Sequence, residues 1–318
     1  MSEHPVNDAT AREPAKPQTY TVLELIKLTT QHFQRNKVES PRLEAELLLA
    51  HLLGVERIQL YVRFDQPLRE GEVAAYRELV KRRSRFEPVH YILGQREFWS
   101  LDFAVERGVL IPRPETECLV EEVLRWREAR SAQRSAQPDA AAAIDALTLA
   151  EVGVGSGAIA VSLAHEIPEL TIFASDIADA PLRVAADNAK RHGVEGRVTI
   201  VRGSLLRPLV AAAGRPFDAV VSNPPYITEA DHAGLERHVR DWEPREALVG
   251  GVDGLDVVRA LVAELSGALV EGGAAFVEVG SDQGEAARAL FAGRFKEVRV
   301  RKDYAGLDRV IVATGFRG

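Results

Sequence analysis

The residues best placed to do chemistry in this chain lie in one short loop. The segment Phe217–Ser222 is apolar enough to form a buried strand, and it runs directly into Asn223-Pro224-Pro225-Tyr226. Two consecutive prolines fix their own φ and push the residue before each of them toward extended geometry, so this loop is stiff. Because it follows the C-terminal end of a strand, the pattern favours a functional loop over a simple proline turn capped by Asn. We call Asn223–Tyr226 the Asn-Pro-Pro-Tyr loop.

The residue types of this loop suit methyl transfer to a planar nitrogen. An amide or exocyclic amine nitrogen is a poor nucleophile because its lone pair is delocalised, but it carries two N–H donors. If the Asn223 side-chain oxygen and the Pro224 carbonyl accept from those donors, electron density stays on the nitrogen and its lone pair can face a methyl sulfonium. Tyr226 offers a flat surface for the planar group. We therefore predict catalytic roles for Asn223, Pro224 and Tyr226, and substrate contacts from these three residues and Pro225.

A second candidate site follows the strand predicted at Leu147–Val152. This strand ends in a glycine loop, Gly153-Val154-Gly155-Ser156-Gly157, and a helix begins at Ala158. The next strand ends at Asp176, 23 positions after Gly153, about the separation at which an acidic residue binds the ribose hydroxyls of a nucleotide. These features fit NAD as well as S-adenosylmethionine. The third glycine of the dinucleotide pattern is missing at its usual offset, which weakens the pyrophosphate interpretation.

The elements around these loops alternate between strands and helices. We predict strands at Leu147–Val152, Thr171–Ser175, Val198–Val201, Phe217–Ser222 and Ala274–Val279, helices from Ala158, at Pro181–Arg191 and at Val257–Leu269, and closing apolar runs at Glu297–Arg301 and Arg309–Ala313. This order predicts an α/β fold with a doubly wound, mostly parallel sheet of the Rossmann-like type, whose ligands lie beyond the C-terminal ends of the strands.

The sequence predicts four regions along the chain. Residues 1–18 are polar and without periodicity, which is typical of a disordered tail. Residues 19–93 show helical spacing of apolar positions, with a helix start at Ser40-Pro41, where the Ser40 hydroxyl can cap free N–H groups, and a stop at Gly54. Residues 94–109 are short, aromatic and alternating, as in a hairpin linker, and residues 110–318 form the α/β domain. Within it, Ser131–Ala143 is rich in Ala, Ser and Gln and is interpreted as a surface linker or a frayed helix end.

The bulk composition excludes several classes of protein. A formal net charge of -7 and a pI near 5.7 argue against affinity that comes mainly from neutralising phosphates. The basic run Lys81-Arg82-Arg83 is interpreted as a solvated helix face. The one cysteine, Cys118, excludes an intramolecular disulfide, and no metal-ligand arrangement stands out. No apolar run is long enough for a membrane helix, and the N-terminus lacks a signal-peptide pattern, so we expect a cytoplasmic protein.

From about Tyr20 onward the sequence closely resembles the release-factor glutamine methyltransferase family. These enzymes use S-adenosylmethionine to methylate the glutamine of the Gly-Gly-Gln motif in bacterial class I peptide chain release factors. The Asn-Pro-Pro-Tyr loop alone is shared with adenine methyltransferases, whereas the stretch Leu110–Glu117 is far more specific. The resemblance rests on Gly94–Trp99, Leu110–Glu117, Ser222–Ile227, Glu243–Leu248, Asp253–Leu255, Glu278–Gly280, Lys302, Asp303, Gly306 and Arg309.

The resemblance implies roles for particular residues. The N-terminal helical domain would help bind the release factor, and Leu205 would pack near the cofactor adenine. Two departures bear on cofactor affinity: Glu151 and Val154 stand where family members usually have Asp and Thr, and Ser204 stands where an Asp usually contacts the adenine amino group. The cofactor-binding set is therefore expected to be Gly153, Val154, Gly155, Ser156, Gly157, Asp176, Ser204, Leu205 and Asn223.

Two alternatives to protein glutamine methylation remain at this stage. An adenine-N6 methyltransferase of DNA or RNA would need to extract its base and grip phosphates, which normally requires a basic, aromatic-bearing surface. A non-catalytic module that binds a release factor or the cofactor would keep binding but show no turnover on any amide substrate.

Overall fold

The computed structural model describes residues 19–135 and 146–318. The chain divides into two compact units, Met1–Arg85 and Phe86–Gly318. The predicted tail and most of the predicted linker at Ser131–Ala143 lie outside the described residues, although the helix before that linker continues to Ser135. The four domain bounds given above stay a prediction.

The described part of the first unit is helical, as predicted. Its first helix starts with a capping box, in which the Thr21 hydroxyl accepts from the Glu24 backbone N–H and the Glu24 carboxylate accepts from the Thr21 backbone N–H. Each bond satisfies an N–H that the first helical turn leaves unpaired. The helices are α1 (Val22–Arg35), α2 (Pro41–Leu53), α3 (Arg57–Val62) and α4 (Glu70–Ser84).

Two predictions about this unit are wrong in detail. Helix α2 does begin at Pro41 and end at Gly54, which adopts the left-handed conformation, but the Ser40 side chain makes no capping hydrogen bond. In the basic run, Lys81 and Arg82 are exposed, whereas Arg83 is buried and forms an ion pair with Glu44. Glu44 is 39 positions away from Arg83 in the chain. The spacing of nearby charges therefore could not predict this ion pair.

The second unit contains the sheet predicted from the sequence. Its helices are α5 (Val89–Leu93), α6 (Glu117–Ser135), α7 (Ala158–Glu166), α8 (Asp179–Arg191), α9 (Arg207–Ala213), α10 (Glu229–His232), α11 (Arg237–Arg240), α12 (Asp256–Ala268) and α13 (Gly284–Phe291), with 3-10 turns at Pro114–Thr116 and Arg245–Ala247. Its strands are β1 (Gln95–Phe98), β2 (Leu101–Ala104), β3 (Thr148–Val152), β4 (Thr171–Asp176), β5 (Val198–Arg202), β6 (Phe217–Ser222), β7 (Leu269–Glu278), β8 (Phe295–Lys302) and β9 (Asp308–Phe316).

Among the described residues, seven strands form one sheet in the order β5-β4-β3-β6-β7-β9-β8. Strands β3 to β7 pair in parallel, while β9 pairs antiparallel with both β7 and β8. The chain order reverses between β3 and β6, which is the switch point where such sheets bind ligands. The predicted fold class is confirmed, and the two closing apolar runs are the antiparallel strands at one edge. Strands β1 and β2 form a separate antiparallel hairpin that pairs from Gln95 to Ala104, and its predicted role as a linker stays a prediction.

Apolar side chains cover both faces of the sheet. On β3, Leu149 belongs to one buried cluster and Ala150 to the other, because successive side chains of a strand point to opposite faces. Residues of α6, α7 and α8 pack into the first cluster, and residues of α9, α12 and α13 into the second. The loops at the strand ends are thus held on a sheet that is buried on both sides. No helix in the described ranges is long and apolar enough to span a membrane.

Candidate active site

The two candidate loops meet where β3 and β6 end side by side. The buried Ser222 hydroxyl at the end of β6 donates to the Val152 carbonyl at the end of β3, at 2.8 Å. Beyond this bond, the two chains stay close, and a Cβ at Gly153 would lie 3.9 Å from the Asn223 carbonyl oxygen. The structure thus brings the glycine loop and the Asn-Pro-Pro-Tyr loop together, although 70 residues separate them.

The glycine loop is a tight turn that needs its glycines. Gly153, Gly155 and Gly157 have φ of 80°, 54° and 82°, in the left-handed region that other residues rarely adopt. The backbone N–H groups of Gly153 and Val154 both donate to the Ser175 carbonyl, at 2.9 and 2.8 Å. These two bonds attach the glycine loop to the end of β4, and they do not require a ligand.

Asp176 lies at the end of β4 and faces this loop. Its carboxylate accepts from the backbone N–H groups of Gly155 and Ala178, both at 3.1 Å. A carboxylate has about four lone-pair sites, so two remain for ribose hydroxyls. The structure thus brings the Asp176 carboxylate into contact with the glycine loop.

Ser204 and Leu205 follow β5 at the same edge of the sheet. The preceding Gly203 donates its N–H to the Asp176 carbonyl at 3.0 Å. Ser204 is exposed, and Leu205 has a positive φ of 59° with its carbonyl accepting from the Ser175 hydroxyl at 3.3 Å. The chain at Ser204 and Leu205 thus continues from a residue bonded to Asp176, and the exposed side chain of Ser204 faces solvent.

A small cavity of about 50 Å³ borders the glycine loop, and we call it the glycine-loop cavity. Glu151 lines it and is fully buried, and neither of its carboxylate oxygens has a hydrogen-bond partner among the described residues. Burial raises the pKa of Glu151 well above its ordinary value, the backbone N–H of Ala160 opposes this effect, and the nearby Asp176 raises the pKa further. A carboxyl group buried in this way is costly to ionise, so this cavity suits a ligand that brings a positive charge or N–H donors.

The Asn-Pro-Pro-Tyr loop is held from the opposite side by a buried glutamine. The Gln283 side-chain amide donates to the carbonyl oxygens of Tyr226, at 2.8 Å, and Asp253, at 3.1 Å, while its oxygen accepts from the Gly280 N–H at 2.9 Å. Gly254 has a φ of 75°, and a Cβ there would collide with the Tyr226 carbonyl oxygen. The position of Tyr226 therefore depends on two segments that are distant in the chain, one at Asp253 and Gly254 and the other at Gly280 to Gln283.

A larger cavity of about 210 Å³ also borders the Asn-Pro-Pro-Tyr loop, and we call it the Tyr226 cavity. It shares Leu110, Arg113 and Asn223 with the glycine-loop cavity, so Asn223 stands between the two. Apolar side chains dominate the rest of its wall. They are Ile227, Leu235, Val239, Ala247 and Leu248.

Arg113 is fixed by a buried carboxylate. Its guanidinium donates to Glu243 at 2.6 Å, and the Ile111 backbone N–H donates to the same carboxylate at 3.3 Å. Glu243 is almost completely buried, whereas the Arg113 side chain is 30% exposed, so the pair is partly shielded from screening by salt. This contact attaches the stretch around Arg113 to the segment that walls the Tyr226 cavity.

Asn223 is oriented by a contact that the sequence alone did not reveal. Its side-chain Nδ2 donates to the hydroxyl of Thr116 at 3.1 Å. Among the described residues, no donor meets its Oδ1 or the Pro224 carbonyl oxygen, whereas the Tyr226 carbonyl is used by Gln283. The two acceptors that the predicted amide chemistry requires thus have no donor of their own among the described residues.

The Tyr226 phenol keeps its proton at neutral pH. Burial, and then the negative charge of the nearby Glu278, raise the pKa of Tyr226 to about 12. The phenol can therefore donate a hydrogen bond as well as present its ring.

Sequence reasoning missed Thr116, Gln283 and the Arg113–Glu243 pair as parts of the site. Thr116, Arg113 and Glu243 fall within the motifs that carry the family resemblance, which was the available signal for them. Gln283 lies outside those motifs, and only the fold places it against Tyr226. The roles predicted for individual site residues stay predictions.

Comparison with known proteins gives matches over both units. The family models that match are the PrmC N-terminal domain, over residues 24–94, and the Methyltransferase small domain, over residues 141–239. The release factor glutamine methyltransferase of Geobacter sulfurreducens is 42% identical over 297 residues, which are 93% of this chain and 97% of the relative. That of Chlorobaculum tepidum is 40% identical over 291 residues, which are 91% of this chain and 96% of the relative.

A solved structure resembles the chain in fold. The catalytic domain of hMettl16, in complex with MAT2A 3'UTR hairpin 6, aligns with a TM-score of 0.50 and 14% identity, covering 80% of this chain and 86% of that one. At this identity the likeness concerns the fold alone.

Proposed function

The chain belongs to the release factor glutamine methyltransferase family, and we propose that it methylates the side-chain amide nitrogen of a glutamine in a class I peptide chain release factor. The methyl donor is S-adenosylmethionine, which supplies an electrophilic methyl group on a sulfonium. Following the family resemblance, the target glutamine is that of the Gly-Gly-Gln motif. The proposal places the enzyme in the cytoplasm, where release factors act.

The position of Asn223 carries the proposal. This residue stands between two cavities, and its Oδ1 and the neighbouring Pro224 carbonyl have no donor among the described residues. A glutamine amide has two N–H donors, so these two oxygens can hold both and leave the nitrogen lone pair free to attack. Pro225 and the protonated Tyr226 complete the surface that receives the planar amide.

The glycine-loop side has the chemistry to hold S-adenosylmethionine. The two remaining lone-pair sites of Asp176 suit the ribose hydroxyls, and the partnerless Glu151 suits the ammonium group of the methionine moiety. Val154 and Ser156 line the cavity together with Gly153 and Gly155, and Ser204 and Leu205 follow Gly203, whose N–H donates to the Asp176 carbonyl, on the expected adenine side. A ligand here would reach Asn223 from one cavity while the glutamine reached it from the other.

The direct test is mass spectrometry of release factors incubated with the enzyme and S-adenosylmethionine. We expect one added methyl group on the glutamine of the Gly-Gly-Gln motif, and none when that glutamine is replaced by alanine. Methylation at another residue, or no methylation of any release factor, would contradict the proposal.

The same assay separates the alternatives. We also propose that the enzyme does not bind nucleic acid directly, so duplex DNA should neither compete nor be methylated. A steep log-linear loss of affinity with salt, together with DNA methylation, would favour an adenine methyltransferase. Binding of a release factor without turnover on any amide would favour a non-catalytic module.

A further inference from the structure

Four large apolar or aromatic side chains are exposed among the described residues of the second unit, and all four lie in loops at one edge of the sheet. They are Ile177 after β4, Val252 between β6 and α12, and Tyr304 and Leu307 in the turn between β8 and β9. Strand β9 runs antiparallel to β7, so its start lies at the C-terminal end of β7. A single exposed apolar residue is normal, but a group of them at the active-site edge is typical of an interaction surface.

The loop that carries Val252 is packed directly against the Asn-Pro-Pro-Tyr loop. We call Gly250–Gly254 the Val252 loop. A Cβ at its first residue would collide with the Pro225 carbonyl oxygen, and a Cβ at its last residue would collide with the Tyr226 carbonyl oxygen. The loop therefore has little freedom to move relative to these residues, and Val252 in its middle is 85% exposed.

The turn between β8 and β9 lies next to the Val252 loop. The Gln283 side-chain amide donates to a carbonyl oxygen of the Val252 loop at 3.1 Å. The following residue, Gly284, is so close to Asp308 at the start of β9 that a Cβ would collide with the Asp308 carboxylate. Leu307, which is 49% exposed, directly precedes Asp308. The Val252 loop and the turn therefore flank the same segment of the chain.

The turn between β8 and β9 also has a fixed shape. The Asp303 carboxylate accepts from the Leu307 backbone N–H at 3.0 Å and from the Arg309 guanidinium at 3.1 Å. The Tyr304 hydroxyl donates to Glu121, yet Tyr304 remains 83% exposed. Side chains on loops that are already ordered lose less conformational freedom when a partner covers them, which favours binding.

The charged groups beside these side chains are paired within the protein. Arg259 donates to Asp253 at 2.8 and 2.9 Å, and Lys302 donates to Asp308 at 2.9 Å. These pairs are balanced in charge, so they do not favour a polyanion such as a nucleic acid. Apolar side chains bordered by polar groups are typical of surfaces that bind another protein.

The chemistry of the target gives such a surface a purpose. The Tyr226 cavity has a volume of about 210 Å³, so it can admit a side chain but not a protein surface. In a Gly-Gly-Gln motif, the two residues before the glutamine have no side chains that a cavity could recognise. Selection of a release factor among other proteins therefore requires contacts outside the Tyr226 cavity.

We propose that Val252, Tyr304 and Leu307 form an apolar rim that contacts the release factor outside its Gly-Gly-Gln motif while the glutamine lies in the Tyr226 cavity. This inference rests on the proposed function for the identity of the partner, but binding to the rim can be measured without turnover. The rim acts on binding and not on the reacting atoms. Its loss therefore raises KM for the release factor and leaves kcat unchanged.

Steady-state kinetics with a full-length release factor at saturating S-adenosylmethionine tests the rim. Val252→Ser and Leu307→Ser should each raise KM for the release factor by about 3- to 10-fold, the scale of partial burial of one aliphatic side chain, and keep kcat within about two-fold. Tyr304→Ala should act in the same way. Tyr304→Phe keeps the ring and removes the hydroxyl, so it should behave as the wild type.

Ile177→Ser is the matched control. Ile177 is 58% exposed at the same edge of the sheet, but it follows β4 and is not part of the rim. At saturating S-adenosylmethionine, this variant should keep the wild-type KM for the release factor. Denaturant unfolding should give the same midpoint for all of these variants, because each substitution changes an exposed side chain.

Calorimetry with S-adenosylhomocysteine in place of the methyl donor measures binding of the release factor without turnover. The Kd for the release factor should rise in Val252→Ser and Leu307→Ser by the same factors as KM. The Kd for S-adenosylhomocysteine itself should not change. Sedimentation of the enzyme alone should give the same mass for the wild type and Val252→Ser.

The proposal is overturned if KM and Kd for the release factor are unchanged in the rim variants, if Ile177→Ser raises them equally, or if kcat falls instead. It is also overturned if Val252→Ser converts a wild-type dimer into a monomer, because the rim would then cover a second copy of the chain. If the wild type binds a release factor without turnover, the proposed function fails and the calorimetry still decides the rim. If the wild type neither binds nor methylates any release factor, both proposals fail.

Discussion

The glycine loop and the Asn-Pro-Pro-Tyr loop lie against each other, but they are held in different ways. The glycine loop obtains its shape from three left-handed glycines within five residues and from two N–H bonds to the adjacent strand. The Asn-Pro-Pro-Tyr loop contains no glycine and depends on distant groups, among them Thr116, Gln283 and Gly254. One loop is specified mainly by its own sequence and the other mainly by the fold around it.

This difference matches what each loop has to do in the proposed reaction. The glycine loop must bring its backbone close to a ligand that is the same in every turnover. The Asn-Pro-Pro-Tyr loop must hold a nitrogen acceptor to within a fraction of an ångström, because a misplacement of about 1 Å can cost roughly 100-fold in rate. We therefore expect changes in the two loops to separate into effects on cofactor binding and effects on turnover.

The largest expected effect comes from Asn223→Ala. The substitution removes the acceptor that orients the substrate amide, so nearly all turnover should be lost. It leaves the binding site of the methyl donor intact. Removal of a preorganised polar group in an active site costs roughly 2.7–4 kcal/mol, or about 100- to 1,000-fold in kcat. Single-turnover kinetics would give the rate, and calorimetry should show S-adenosylmethionine affinity within a few-fold. Methylation near the wild-type rate would contradict the mechanism.

The pair Gly254→Ala and Gly155→Ala tests how each loop is held. Both residues have positive φ, so each substitution costs about 1–2 kcal/mol in backbone strain. At Gly155 a Cβ would meet nothing within 4 Å, whereas at Gly254 it would collide with the Tyr226 carbonyl oxygen and with Gln283. Overpacking adds typically 1–3 kcal/mol, so Gly254→Ala should lose roughly 3 kcal/mol in stability.

Denaturant unfolding of the two variants measures this difference directly. Gly254→Ala should also lower kcat, because Tyr226 must shift, while Gly155→Ala should mainly raise the Kd for S-adenosylmethionine. Equal losses of stability, or a kcat defect confined to Gly155→Ala, would show that the Asn-Pro-Pro-Tyr loop is not held as described.

The same contrast explains how far the sequence could predict the structure. The strands, their mostly parallel order and the two loops at the switch point follow from local patterns, and the strand Phe217–Ser222 has the predicted bounds. The pairing of Asp176 with the glycine loop also follows, because its spacing is fixed by one strand, one helix and the next strand. These features depend on neighbours in sequence.

The contacts that orient Asn223 and Tyr226 could not be predicted in this way. Thr116 reaches Asn223 across 107 positions, and Gln283 reaches Tyr226 across 57. Neither residue type is distinctive by itself, and no periodic pattern links such positions. Glu278 is buried because of its place in the sheet. A single Glu in an apolar run does not indicate from the sequence whether other residues will cover it.

A smaller effect is expected from Asp176→Ala. The substitution removes the predicted ribose contact, so the affinity for S-adenosylmethionine should weaken by roughly 1.5–3 kcal/mol, the usual scale for a hydrogen bond to a charged group. At saturating cofactor, kcat should stay close to the wild-type value. Calorimetry is the direct measurement, and unchanged affinity would place the ribose elsewhere.

Asp179→Ala is the matched control for Asp176→Ala. Asp179 lies three residues further on, its side chain is 87% exposed, and it pairs with Arg202 on the surface. Surface substitutions of this kind usually change free energies by less than about 0.5 kcal/mol. A similar loss of affinity in both variants would indicate a general electrostatic effect and not a specific contact.

The smallest expected effect concerns Ser204, where the sequence departs from the family pattern. Ser204 is exposed, and the N–H of the preceding Gly203 donates to the Asp176 carbonyl, so position 204 lies close to the predicted ribose site. A hydroxyl can accept from the adenine amino group, but an ionised acceptor binds such a donor more strongly. We expect Ser204→Asp to tighten S-adenosylmethionine binding by up to about 1 kcal/mol, somewhat less than tenfold in Kd, and to leave kcat almost unchanged.

Ser204→Asn separates charge from size, because it offers a neutral acceptor of similar length. Two costs oppose the gain: the new carboxylate loses some hydration when the ligand binds, and the negative charge of Asp176 repels it. Because position 204 is exposed, the high dielectric of the surrounding water weakens the repulsion from Asp176, and the gain should prevail. If calorimetry at neutral pH shows weaker binding for Ser204→Asp, with Ser204→Asn unchanged, then repulsion dominates and the family's adenine contact does not transfer to position 204.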